Sequence, residues 1–168
     1  MRKIEFSTKA NNLLKLKKKL KSAKILDQFT FTVEEFNGDS KKILNLLSKK
    51  KWFSKPLIVR SSSLTEDQKN NTDAGQFLSV TNITGINDIK TAILDVIKSY
   101  KKNNKKNQVF VQEYLCNVKI SGVIFTRDIN NNAPYYIINY DDNTGSSNSI
   151  TSGRSHLDKV FYCHRLYK

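Results

Sequence analysis

The chain has 168 residues and a formal net charge of +14, with 24 of its 29 basic residues lysine and five arginine. That length is enough for a domain with a real core, and no apolar run approaches the roughly 20 residues that span a bilayer. The start, MRKIEFSTKA, lacks the apolar stretch of a signal peptide, so the expectation is a cytoplasmic protein with no membrane partner. A sequence pI near 9.8 keeps polyanion binding open, but the scarcity of arginine argues against a nucleic-acid reader built on bidentate contacts. Cys116 and Cys163 fit no metal or redox spacing and read as reduced thiols.

In chain order, residues 9–23 place Leu13, Leu16, Leu20 and Ala23 on one narrow stripe, which predicts a helix with a lysine-rich outer face. Phe29 and Phe31 alternate with polar residues as in a short strand. Thr32-Val-Glu-Glu35 has the capping-box pattern, so a helix is expected to start at Thr32. Residues 39–50 predict another short helix, capped by Asp39 or Ser40. Pro56 breaks the chain before a buried strand, Leu57-Ile58-Val59.

Residues 67–76 carry no apolar period and read as a loop, and the alternation over 77–82 predicts a strand with one buried face. Residues 86–100 hold Ile86, Ile89, Ile93, Val96, Ile97 and Tyr100 on one stripe and give the strongest helix signal. After a charged loop at 101–107, strands are expected at 109–115, 120–128 and 134–142, with a hairpin loop at 129–133. From 143 the chain turns polar and rich in Gly and Ser, as in a loop or flap; His164 is expected on the surface or in a strand. Mixed helices and strands, with adjacent strands antiparallel, predict an α+β fold.

The chemistry concentrates at the end of the 57–59 strand. Arg60 follows three apolar residues, so its stem is expected to be half-buried, and a half-buried guanidinium needs an anion. That anion is either Glu66 or Asp67 in a structural ion pair, or a bound phosphate, which suits the planar fork of arginine. Ser61 to Ser63 add hydroxyl donors, and Gly75 permits close backbone approach to a phosphate.

The ordered set VRSSSLTED and DAGQFLSV resembles the nucleotide-binding domain of the phosphoenolpyruvate synthase and pyruvate phosphate dikinase family. VFVQEYL with ISGVIFTRD resembles that family's Val-Gln-Glu-Met and Ser-Gly-Val-x-Phe-Thr segments, and STKANNLLKL resembles its Gly-Lys-Gly-x-x-Leu opening. The resemblance implies an ATP-grasp-like domain, incomplete over residues 1–168, with 143–168 a flexible or truncated end. It implies ATP and Mg²⁺ as ligands. Lys9 and Arg60 would reach the phosphates, with Ser61 beside them. Thr72, Ala74, Gly75 and Gln76 would cover the phosphates through backbone N–H groups. Gln112, Glu113, Tyr114 and Leu115 would form a hinge segment beside the adenine, and Thr126 would line the phosphate end.

Several positions depart from the family pattern. Thr8 and Ala10 stand where the family has glycines, Asp73 replaces a phenylalanine, and Tyr114 or Leu115 stands near its methionine. The second lobe's metal-binding Glu and Gln-x-Arg have no match before Lys168, and TSGRSH at 151–156 does not carry the phosphohistidine pattern, because Arg154 stands in place of its second glycine. The resemblance therefore implies that the phosphohistidine and acceptor domains are missing from this chain. YYIINYDDNTGSSNSITSG resembles a capsule-associated subgroup that phosphorylates the amide of L-glutamine. A binding module without catalysis and a basic nucleic-acid binder stand as the other readings.

Overall fold

QFTFT alternates aromatic with polar residues, while LIVRSS and QVFVQE hold short runs of apolar, mostly β-branched residues beside polar ones, and both patterns favour strands. The computed structural model describes residues 7–63, 78–100, 104–145, 150 and 159–165. The chain folds as two compact units, Met1–Tyr114 and Leu115–Lys168.

The first unit contains a four-stranded sheet in the order β1-β4-β2-β3. Its strands are β1 (Gln28–Thr32), β2 (Leu57–Ser62), β3 (Ser79–Ile83) and β4 (Gln108–Glu113). Every neighbouring pair is antiparallel. One face carries Phe31, Val59, Val109 and Val111 into the core. Helix α4 (Ile86–Lys98) covers it with Ile89, Ala92, Ile93 and Val96, and α2 (Val33–Gly38) and α3 (Ser40–Ser48) add Phe36, Ile43 and Leu47. The Phe31 and Phe36 rings stack with centroids 5.6 Å apart. Ile86, expected on the α4 stripe, is 39% exposed at the first helical position.

Local signals account for the ends of these elements. Thr32 and Glu35 form a complete capping box at the start of α2, and the Asp39 side chain accepts from the Lys42 N–H at the start of α3. Between Leu57↔Ile83 and Val59↔Val80 strand β3 has one residue more than β2, a bulge that Asn82 accommodates at φ 56°. Helix α1 (Lys9–Lys17) is shorter than its apolar period predicts. Beyond Lys17 no packing surface offsets the repulsion among adjacent lysines, and Leu20 and Ala23 stand exposed.

The second unit contains a sheet in the order β5-β6-β7, formed by Ser121–Phe125, Tyr135–Asp141 and Lys159–His164, again antiparallel. The 129–133 stretch is a hairpin loop, as expected. Asp128 Oδ1 accepts from the Asn130 N–H at 2.8 Å, and Asn132 turns the chain at φ 60°. Strand β7 carries no clean alternation, and no strand was expected at 159–163. It holds His164, whose ring meets Tyr135 edge-on at 5.1 Å. Gly122 of the Ser-Gly-Val segment pairs with Tyr140, and a Cβ there would lie 2.5 Å from the Asn139 carbonyl oxygen. Gly122→Ala is therefore expected to force β5 and β6 apart at a cost of about 1–3 kcal/mol. Faster amide exchange across both strands, with the first unit unchanged, is the outcome that checks it.

Candidate functional site: the Arg60 face and the start of α1

The sheet face turned away from the core is mostly polar around the buried Phe110. Register places Thr30, Phe110 and Arg60 in one row, and Thr32, Gln108 and Ser62 in the next. Arg60 is half-buried, with its guanidinium carbon 5.5 Å from the Phe110 ring centroid. This cation–π contact steadies the long side chain while the ring itself is fully buried.

Helix α1 begins on this face. The Ala10 N–H donates to Ser62 Oγ at 2.9 Å, and the Ala10 carbonyl accepts from Gln28 Nε2 at 3.0 Å. Thr8, the N-cap, accepts from the Asn11 N–H and donates its hydroxyl to Gln108 Oε1 at 2.6 Å. The first turn of α1 is thus tied to three strands of the sheet. Lys9, directly before Ala10, starts the helix beside the strand end that carries Arg60. The structure brings the first turn of α1, which opens at Lys9, to the strand that carries Arg60, although 51 positions separate the two residues in sequence. Thr8 and Ala10 are both buried and serve as the anchor of the helix.

The three serines divide. Ser62 caps α1 from the polar face. The Ser63 hydroxyl donates to Asn107 Oδ1 at 3.2 Å, with both residues buried. Ser61 lies on the opposite face from Arg60, in line with Leu57 and Val59, and is 1% exposed. Its Oγ is buried and has no hydrogen-bond partner among the described residues. A buried, unpaired hydroxyl is destabilising, so Ser61→Ala is expected to leave stability unchanged or raise it by up to about 1 kcal/mol, with nucleotide affinity unaffected. A melting curve with and without ATP checks both parts.

The 112–115 segment spans the junction of the two units: Tyr114 closes the first and Leu115 opens the second. Gln112 is buried and its Nε2 donates to the Leu26 carbonyl at 3.4 Å. Glu113 accepts from Lys55 Nζ at 2.7 Å, and the Tyr114 N–H donates to the Pro56 carbonyl at 2.7 Å. Tyr114 therefore turns its backbone groups toward β2. Glu113, one residue earlier, turns its own toward the β1 side, one position past Gln112, where pairing with β1 stops. Leu115 is 51% exposed.

Thr126 belongs to the second unit, and its carbonyl accepts from Arg165 Nη1 at 3.1 Å. Thr72, Ala74, Gly75 and Gln76 lie outside the described residues, as do Glu66 and Asp67, the alternative partners of Arg60. Thr8, Gln28 and Gln108, which build the polar face, and Tyr100 were not named as site residues from sequence, where Thr8 stood only as a departure from the family pattern and Tyr100 as part of the α4 stripe. Gln28 carried a signal, since it opens an alternating strand on the phase opposite to the buried Phe31, whereas β4 is buried on both phases and gave none for Gln108. Tyr100 gave none either: its hydroxyl leaves the α4 stripe to accept from the Ser62 N–H at 3.1 Å and donate to the Gln108 carbonyl. Among the described residues no three His, Cys, Asp or Glu side chains gather as a metal-ligand set, and no helix is long and apolar enough to cross a membrane.

Comparison with curated proteins gives no match. The family model for the pyruvate phosphate dikinase AMP/ATP-binding domain matches residues 2–163. That span includes α1, the strand end bearing Arg60 and the 112–115 segment. The chain therefore belongs to the pyruvate phosphate dikinase AMP/ATP-binding domain family.

Proposed function

We propose that this chain binds ATP on the Arg60 face as the nucleotide-binding part of a dikinase-type phosphotransferase. The observation that carries the reading is the tie between the first turn of α1 and the end of β2, and on this reading Lys9 and Arg60 both reach the phosphates. Two such cations suit the charge of a triphosphate, for which positioning and electrostatic stabilisation do most of the catalytic work. The 72–76 loop would close over the phosphates through backbone N–H groups. Glu113 backbone groups, turned toward the β1 side where pairing stops, suit the hydrogen-bonding edge of adenine. Leu115 and Thr126 join the set on the resemblance alone. Mg²⁺ would arrive with the triphosphate, held by phosphate oxygens and water.

In the whole enzyme ATP would yield AMP and phosphate, with one phosphoryl group passing through a histidine on a separate domain to an acceptor. The resemblance of residues 135–153 to the capsule-associated subgroup makes the L-glutamine amide the proposed acceptor. Calorimetric titration with ATP and Mg²⁺, against AMP and a short oligonucleotide, tests the binding step. Saturable ATP binding is the expected result. A folded chain that takes up no ATP would overturn the reading.

A further inference from the structure

The far end of α1 carries a different chemistry, independent of the ATP reading. Nine helical residues rise about 13 Å, so the chain leaves the sheet as its lysines accumulate. Lys15, Lys17, Lys18, Lys19, Lys21 and Lys24 are all exposed. Leu14 and Leu20, set among them, are 43% and 42% exposed. On the helix Leu14 shares a face with Lys17 and Lys18, three and four residues on.

Tertiary structure adds to this surface. Lys17 pairs with Asp27 where the chain returns to β1, and Lys50 Nζ stands 5.1 Å from the Phe29 ring centroid. The Asp27 carboxyl is held below its usual range by the Lys17 hydrogen bond and charge, with Lys24 and Lys50 contributing. One carboxylate thus sits amid a converging group of lysines.

We propose that this lysine-rich knob, residues 14–24 with Lys50, docks on an anionic lipid surface, its two leucines dipping into the headgroup boundary. Lysines supply attraction to anionic headgroups, and exposed aliphatic side chains supply shallow burial. A nucleic acid fits less well. The exposed apolar groups are aliphatic and give no stacking platform, and the knob carries no arginine fork. A peripheral contact of this kind needs no spanning helix.

Co-sedimentation of the full chain with vesicles tests it, comparing phosphatidylcholine mixed with phosphatidylglycerol against phosphatidylcholine alone at physiological salt. Binding is expected to the mixed vesicles only. It should fall about tenfold or more when Lys18, Lys19 and Lys21 are changed together to Glu, and several-fold in a Leu14→Ser, Leu20→Ser variant. Circular dichroism confirms that both variants keep the fold, since none of these side chains is buried. No binding to the mixed vesicles, or binding that either set of substitutions leaves unchanged, overturns the proposal. If only the leucine change is silent, competition by a duplex oligonucleotide would assign the surface to nucleic-acid phosphates instead.

Discussion

Arg60→Ala is expected to weaken ATP binding about 10- to 100-fold, the loss of a charge-assisted hydrogen-bonding partner worth about 1.5–3 kcal/mol. The proper control is Lys90→Ala, which removes the same charge from the exposed face of α4. If the net charge of the chain attracted the nucleotide without a site, the two variants would lose affinity equally. A larger loss at Arg60 requires a located phosphate. Arg60→Lys should fall between the two, because it keeps the charge and loses the planar fork. Since the guanidinium also lies over Phe110, a melting curve of each variant separates lost binding from lost packing. Equal effects of Arg60→Ala and Lys90→Ala would sink the assignment of Arg60.

The largest stability effect is expected at Ile93. It is fully buried on α4, packed in the cluster that also holds Val59, Val109 and Val111. Ile93→Ala removes most of a buried side chain and leaves a cavity that a sheet face cannot collapse to fill, at a cost of about 2–5 kcal/mol. Against a total stability of about 5–15 kcal/mol, that shift is large. Trp52, the one tryptophan, lies partly buried against the same core and reports on the first unit alone. Urea unfolding followed by its fluorescence should show the midpoint falling steeply in Ile93→Ala. Leu20→Ala, at an exposed position, should stay within about 0.5 kcal/mol of the parent. Similar shifts in both would mean that α4 does not seat on the sheet as described.

Sequence by itself determined most of the elements of the first unit, because local chemistry writes them. The capping box at Thr32, the cap at Asp39 or Ser40, the α4 stripe and the alternation in β1 each depend on residues within one or two turns of one another. The α+β class and the antiparallel pairing followed from the same patterns, and the motif order pointed to the family. Tertiary structure alone decided the rest. Helix α1 stops at Lys17 because packing, not apolar period, sustains a short helix. Strand β7 exists through pairing with β6, with little alternation of its own to announce it. Above all, the phase of β2 sorts three consecutive serines into different roles. Ser61 faces the core, Ser62 caps α1, and Ser63 holds Asn107. A string of hydroxyls beside an arginine reads the same whichever way it points, whereas a strand's alternation allows only every second side chain to share the face of Arg60.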